Sequence, residues 1–429
     1  MEYILKGGVV IDPKTDMEKR LDIHVDNGKI KALGSNITEK NIETIDAAGR
    51  IIAPGFIDLH VHLREPGLEA HETIATGCRA AVAGGFTTIA AMPNTKPCAD
   101  NEAVLELIKN RADRLKLARV LPIGAISKGQ QGEEISEIGS LYQTGAVAIS
   151  DDGKPVVNSE VMRRALEYTQ IFGIPVISHS EELHLKGDGV MHEGYWSMLL
   201  GLAGIPAQAE EVMVARDLIL AELTGGQLHL AHLSTRGSVE LLEFYLDKQV
   251  KVTAEVTPHH LLLTDEEVKE YNTSTKVNPP LRSRDHVEAV RKALKKGTIS
   301  CIATDHAPWS EEEKEQEYNK APFGISGLET AVAVCWDTLV VKGGFSPKEL
   351  IARFTTGPAG VLHLPCGTIA QGAEADFTVI DPNLTKQVDT ALFYSKGKNS
   401  PVNGRSFRGW PVMTIVGGNI VMKDGVVAD

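Results

Sequence analysis

Ile57-Asp58-Leu59-His60-Val61-His62-Leu63 is an apolar run broken only by an aspartate and two histidines. Read as a strand, its side chains repeat every second residue, so His60 and His62 share one face and a single ion can take both imidazoles. Taken singly, a strand-end histidine is more often a hydrogen-bonded structural residue. The pair gains meaning only from what the rest of the chain repeats.

Seven further runs of the same character follow: Phe86 to Met92, Arg119 to Ala125, Ala146 to Ser150, Pro175 to Ser178, Leu228 to Leu233, Val250 to Val256 and Ile299 to Thr304. Helical patterns separate them, among them Glu102 to Leu115, Ser159 to Phe172, Ala207 to Leu223 and Val287 to Lys296. Alternating strand and helix means repeated βα units and a parallel sheet. Eight such units predict a closed (β/α)8 TIM-like barrel of α/β class over residues 54–364.

The ends of the chain read differently. Short strand patterns surround Asp26-Asn27-Gly28 near the start and Val416-Gly417-Gly418-Asn419-Ile420 near the end, and Asn-Gly between alternating runs marks a hairpin. Residues 1–53 and 365–429 are therefore expected to combine into one composite β-sandwich domain.

Composition bounds the function classes. The chain of 429 residues, 42% hydrophobic and 24% charged, is ordinary for a globular enzyme. Its formal net charge of -13 offers no basic field for nucleic acid or an anionic membrane. The first residues lack a signal-peptide pattern and no long apolar stretch occurs, so the expected location is cytoplasmic. Five scattered cysteines without a CxxC pair argue against disulfides and thiolate zinc sites, which leaves histidine and carboxylate as metal ligands.

Residues just past the C-terminal ends of barrel strands face the active-site mouth. Here those ends carry His60 and His62, Asn94, Asp151-Asp152, His179, His232, His259-His260 and Asp305-His306. Four imidazoles and two carboxylates from strands one, four, five, six and eight converge on one point, and such a donor set suits Zn2+ first. Asp305, acidic and beside the ion, is the natural general base for a water whose pKa a metal lowers to about 7; the alternative is an N-cap or an outer carboxylate. Arg64 can form a bidentate pair with a substrate carboxylate or a structural salt bridge. Asn94 and Asn278 fit a substrate contact or a turn equally well.

Gly55-Phe56-Ile57-Asp58-Leu59-His60-Val61-His62-Leu63-Arg64-Glu65-Pro66-Gly67 resembles the opening motif of the cyclic amidohydrolases, within them the bacterial (class I type) dihydroorotase family. The resemblance continues through Ala91-Met92-Pro93-Asn94-Thr95, Ser150-Asp151-Asp152-Gly153, Thr257-Pro258-His259-His260, Asn278-Pro279-Pro280-Leu281-Arg282, Ala303-Thr304-Asp305-His306-Ala307-Pro308, Ala321-Pro322-Phe323-Gly324 and Gly409-Trp410-Pro411. It implies reversible closure of N-carbamoyl-L-aspartate to dihydroorotate, a step of pyrimidine synthesis. It also implies one or two zinc ions per subunit, with His60 and His62 on one, His179 and His232 on a second, and Asp152 between them with Asp151 as the alternative. Asp305 would bind metal and carry the proton. Arg64 and Asn94 would hold the substrate carboxylate, Asn278 the ring edge, and Phe323 and Gly324 backbone contacts.

The same resemblance allows a homodimer and an association with aspartate carbamoyltransferase. Allantoinase, hydantoinase or dihydropyrimidinase activity is the rival reading within the class, and an inactive scaffold the rival outside it. Where many relatives carry a second histidine after Asp-His-Ala-Pro, this chain has Trp309.

Overall fold

The computed structural model describes residues 2–428, and its larger sheet-and-helix layer is an eight-stranded parallel barrel. The barrel strands are Phe56–Val61, Phe86–Ala91, Arg119–Gly124, Ala148–Ser150, Val176–Ser178, Leu228–Leu230, Val252–Val256 and Cys301–Ile302. Each pairs in parallel with the next in chain order. The last meets the first through a parallel bridge between Val61 and His306, and the His62 amide donates to the His306 carbonyl at 2.9 Å. The predicted barrel is thus present, joined at its seam by a minimal contact.

Several strands are shorter than the apolar runs that announced them. The strand within the run to Leu233 ends at Leu230, and that within the run to Thr304 at Ile302. His232 (φ 34°) and Asp305 (φ 47°) lie just beyond, in left-handed backbone that cannot extend a ladder. Arg64, beyond strand one, shares this conformation at φ 63°. Three bulky polar residues in a costly backbone region, all at strand ends, are the pattern of strain held in place at a functional site.

The helices follow their signals closely. Glu102–Leu115 starts behind Asn101, whose side chain accepts from the Val104 amide, and buries Val104, Leu105, Ile108 and Ala112 against the barrel. Ser159–Thr169 and Gln208–Thr224 fall within two or three residues of expectation. Arg284–Lys296 begins three residues early, because Ser283 already has the extended backbone of an N-cap. Inside the barrel, Ile57, Leu59, Ala90, Met92, Ile123, Ala148, Ile177 and Cys301 pack with Val361 and Leu362 into one apolar cluster beneath the strand ends. That plug leaves the polar chemistry at the opposite end.

The terminal segments form one nine-stranded sheet. Glu2–Asp12 lies between Met17–Asp26 and Ile51–Pro54, and Ile51–Pro54 pairs antiparallel with Phe377–Gln387, with Ile52 opposite Val379. Both expected hairpins occur. Asn27 and Gly28 turn between paired Asp26 and Lys29, and Gly417 and Gly418 between paired Val416 and Asn419, with all four turn residues at positive φ. No helix among the described residues is long and apolar enough to cross a membrane.

Candidate metal centre and active site

Six side chains from five strand ends meet at the barrel mouth. Asp152 is the hub: its carboxylate lies 3.2 Å from His60 Nε2, 3.4 Å from His62 Nε2, 3.5 Å from His179 Nδ1 and 3.6 Å from His232 Nε2. Asp305 Oδ1 sits 3.4 Å from His60 Nε2 and 3.0 Å from His62 Nε2. His179 Nδ1 and His232 Nε2 approach to 2.9 Å. All six residues are buried.

The adjacent Asp151 is not part of this cluster. It accepts from the Ile126 amide at 2.8 Å, the Ser127 amide at 3.1 Å and the Ser127 hydroxyl, turned away from the histidines. Two successive side chains of extended backbone point to opposite sides, so only one of the pair can enter. His260 is also outside: it bonds Thr257 Oγ1 and the Pro279 carbonyl, and burial holds its imidazole down at about 4. His306 is engaged by Glu72 and the Gly327 amide.

The donor set fits a divalent cation. His60 Nε2 and Asp152 Oδ1 are buried and lack a hydrogen-bond partner, although they face each other. Four imidazole nitrogens gathered around one carboxylate is an arrangement that a bound cation satisfies. Electrostatics agree. Burial disfavours a charged His60, yet Asp152, Asp305 and Glu255 outweigh it and lift the imidazole well above its ordinary value. Burial is likewise overcome at Asp152, which His60, His179 and His232 hold well below the usual carboxylate range. His179 rises to about 9 in the same field, against its own burial. This is a pocket that favours positive charge.

Glu255 is the participant that the sequence reading missed. It is fully buried on strand seven, and its two oxygens lie 2.7 Å from His60 Nδ1 and 3.1 Å from His229 Nε2. A proton on His60 Nδ1 shared with Glu255 leaves Nε2 as the lone-pair donor toward Asp152, the outer carboxylate arrangement typical of ligating histidines. A lone glutamate near the end of Thr253-Ala254-Glu255-Val256 was the available signal.

A cleft of about 350 Å3 opens over the cluster, bordered by His62, Asp152, His179, His232 and Asp305 below. Arg64, Asn94, Asn278, Phe323 and Gly324 all border it, together with Lys186 and Trp309. Asn94 Oδ1 meets His62 Nδ1 at 2.9 Å, and Asn278 Nδ2 lies 3.5 Å from His179 Nε2. Arg64 is 6% exposed, donates Nε to the Pro308 carbonyl at 3.3 Å and makes no ion pair among the described residues. Burial brings it down to about 10, against the pull of Asp305 and Asp152. Lys186 pairs with Glu181 at 2.9 Å, and its ammonium lies 5.2 Å from the Phe323 ring centroid.

A parallel barrel with histidines and aspartates gathered at its strand ends defines an amidohydrolase. Residues 49–238 match the family described as Dihydro-orotase-like, and residues 282–422 the Amidohydrolase family. A dihydroorotase of Pelotomaculum thermopropionicum is 55% identical over 428 residues, covering 100% of both chains. One of Endomicrobium trichonymphae is 50% identical, covering 99% of this chain and 100% of its own. Among solved structures, an L-hydantoinase (dihydropyrimidinase) from Arthrobacter aurescens superposes with a TM-score of 0.90 at 26% identity, over 100% of this chain and 98% of that one. A dihydropyrimidinase from Brevibacillus agri shares the fold at 22% identity, with a TM-score of 0.86 over 100% of this chain and 96% of its own. The chain belongs to the dihydroorotase family of cyclic amidohydrolases.

Proposed function

We propose that this enzyme interconverts N-carbamoyl-L-aspartate and dihydroorotate in pyrimidine synthesis. The observation that carries the reading is Arg64, a buried guanidinium that makes no ion pair among the described residues and borders the cleft above the histidine cluster. A guanidinium bordering the cleft matches a ring carboxylate, which it can pair in bidentate geometry. Hydantoin, allantoin and dihydrouracil carry no such group.

His60 and His62 would hold one Zn2+, His179 and His232 a second, with Asp152 reaching both pairs and Asp305 beside the first. Bound there, the ions supply Lewis acidity and make water a nucleophile at neutral pH. The chain's own residues do the rest. Arg64 and Asn94 orient the ring carboxylate, and Asn278 with the backbone of Phe323 and Gly324 bounds the ring edge. Asp305 takes the proton of the attacking water and returns it to the ring nitrogen as the amide bond breaks; in the reverse direction it takes that proton from the attacking nitrogen and passes it to the departing hydroxide, which leaves as water.

A spectrophotometric assay with dihydroorotate beside dihydrouracil, hydantoin and allantoin tests the assignment. Preferred turnover of dihydroorotate supports it, and preference for a ring without a carboxylate would overturn it. The proposal extends to a cytoplasmic homodimer that associates with aspartate carbamoyltransferase, which sedimentation with and without that enzyme would check.

A further inference from the structure

Trp309 borders the cleft, but nothing in the mechanism above uses it. Its indole N–H donates to the Phe323 carbonyl at 2.7 Å, and its backbone N–H to Asn399 Oδ1 at 3.1 Å. The Arg64 guanidinium carbon lies 4.8 Å from its ring centroid. The His71 ring packs against it at 4.7 Å, tilted by 54°. One side chain therefore touches both the cation and the loop that flank the substrate space.

Arg64 needs such a surface. Apart from Nε to Pro308, its guanidinium has no hydrogen-bond acceptor among the described residues, so hydrogen bonding alone does not fix its plane. A long, rotamer-rich side chain presents a bidentate fork only when something holds it flat, and an indole face does so while favouring the charge. The loop has the complementary need. Gly324 has φ 147°, and a Cβ there would lie 2.5 Å from the Ala307 carbonyl and 2.8 Å from Trp309 Nε1, so the loop is pressed onto the indole. Asn399 bridges the two segments, donating to the carbonyls of Ala307 and Gly324.

Resting on the dihydroorotate reading, we infer that Trp309 is a positioning residue for carboxylate recognition. It holds Arg64 in plane and fixes the distance between Arg64 and the Phe323–Gly324 loop, so its contribution to affinity runs through Arg64. A histidine at this position would have a smaller face to stack on Arg64.

The test is a double-mutant cycle on the metal-loaded enzyme, with orotate as the carboxylate-bearing ring and its Kd measured by calorimetry. Trp309→Ala is expected to weaken orotate about tenfold, and Trp309→Phe, which keeps a ring face but loses the N–H, about threefold. Arg64→Leu combined with Trp309→Ala should bind orotate no worse than Arg64→Leu alone. In kinetics, Trp309→Ala should raise the KM for dihydroorotate with kcat within about threefold.

Additive losses in the cycle would overturn the inference, as would a Trp309→Phe variant, folded by circular dichroism, that binds orotate as the parent does. A parent enzyme that binds orotate yet does not turn over dihydroorotate would overturn the functional reading alone, since the cycle reads orotate binding without catalysis.

Discussion

In the floor of the cleft, His60, His62, Asp152, His179, His232 and Asp305 stand on the ends of barrel strands and face one another. In its rim, Asn278, Trp309 and the Phe323–Gly324 loop stand on long connections tied down by side chains that reach backbone carbonyls. Lys314 Nζ donates to the carbonyls of Thr273 and Pro322 at 3.0 and 2.8 Å, and Lys276 Nζ to that of Tyr318 at 2.7 Å. Asn399, far away in sequence, joins the loops after strand eight. The floor takes its precision from the sheet, the rim from a few long polar side chains. Damage to the floor should therefore strike rate and metal, and damage to the rim should strike substrate choice and local stability.

The largest effect should come from Asp305→Asn in the floor. Loss of the proton carrier should lower kcat by roughly 10²–10⁴-fold while metal content stays near the parent's, since five other ligating side chains remain. Elemental analysis beside a rate assay checks it, and near-parent activity would remove Asp305 from its role. Arg64→Leu at the boundary of the two regions should lower kcat/KM for dihydroorotate about 100-fold through the lost charge-assisted pair, leaving metal content unchanged. Equal kcat/KM in variant and parent would break the division drawn here.

Glu255→Gln should be milder. Its amide offers one acceptor oxygen where Glu255 offers two, one to His60 and one to His229. Metal affinity, read by competition with a chromogenic chelator, should fall about tenfold while thermal unfolding stays cooperative. Unchanged affinity would make Glu255 a packing residue.

The smallest effect belongs to the rim and to pH. Burial, with Lys276 and Arg64 adding repulsion, lowers Lys314 from 10.5 to about 7. Between those two values the unfolded chain binds more protons at this residue than the folded one, so stability from this site rises with pH across that window. Comparing thermal midpoints at pH 7 and 9, the parent should gain on the order of 2 °C more than Lys314→Met. Parallel pH dependence in the two proteins would place the Lys314 titration elsewhere.

The floor could be read in the sequence because its signals are local. The six side chains lie within or just past apolar runs of definite length, and His60-Val61-His62 repeats at the period of a strand. What that reading could not supply was the choice between Asp151 and Asp152, which turns on Ser127 and the neighbouring backbone drawing Asp151 away. Glu255 went unnoticed because a single carboxylate inside a strand has no partner nearby in sequence; His60 is 195 residues distant. The rim was less legible still. Trp309 stood out only as a departure from a resemblance, and neither its bond to Phe323 nor its contact with Arg64 follows from spacing. Asn399 carries no signal at all, since side-chain bonds to backbone across 75 to 92 residues leave no periodic trace.

The nine-stranded sheet has a consequence for how the chain is made. Tyr3, Leu5, Val10, Ile23 and Val25 share one apolar cluster with Phe377, Val379, Val412, Met413 and Ile415. The strands of residues 2–54 thus complete their packing only when the strands of residues 377–427 are present, and the whole barrel lies between the two in sequence. This cluster brings together residues such as Val25 and Phe377, which lie more than 350 residues apart in sequence, so closing it carries a large chain-entropy cost.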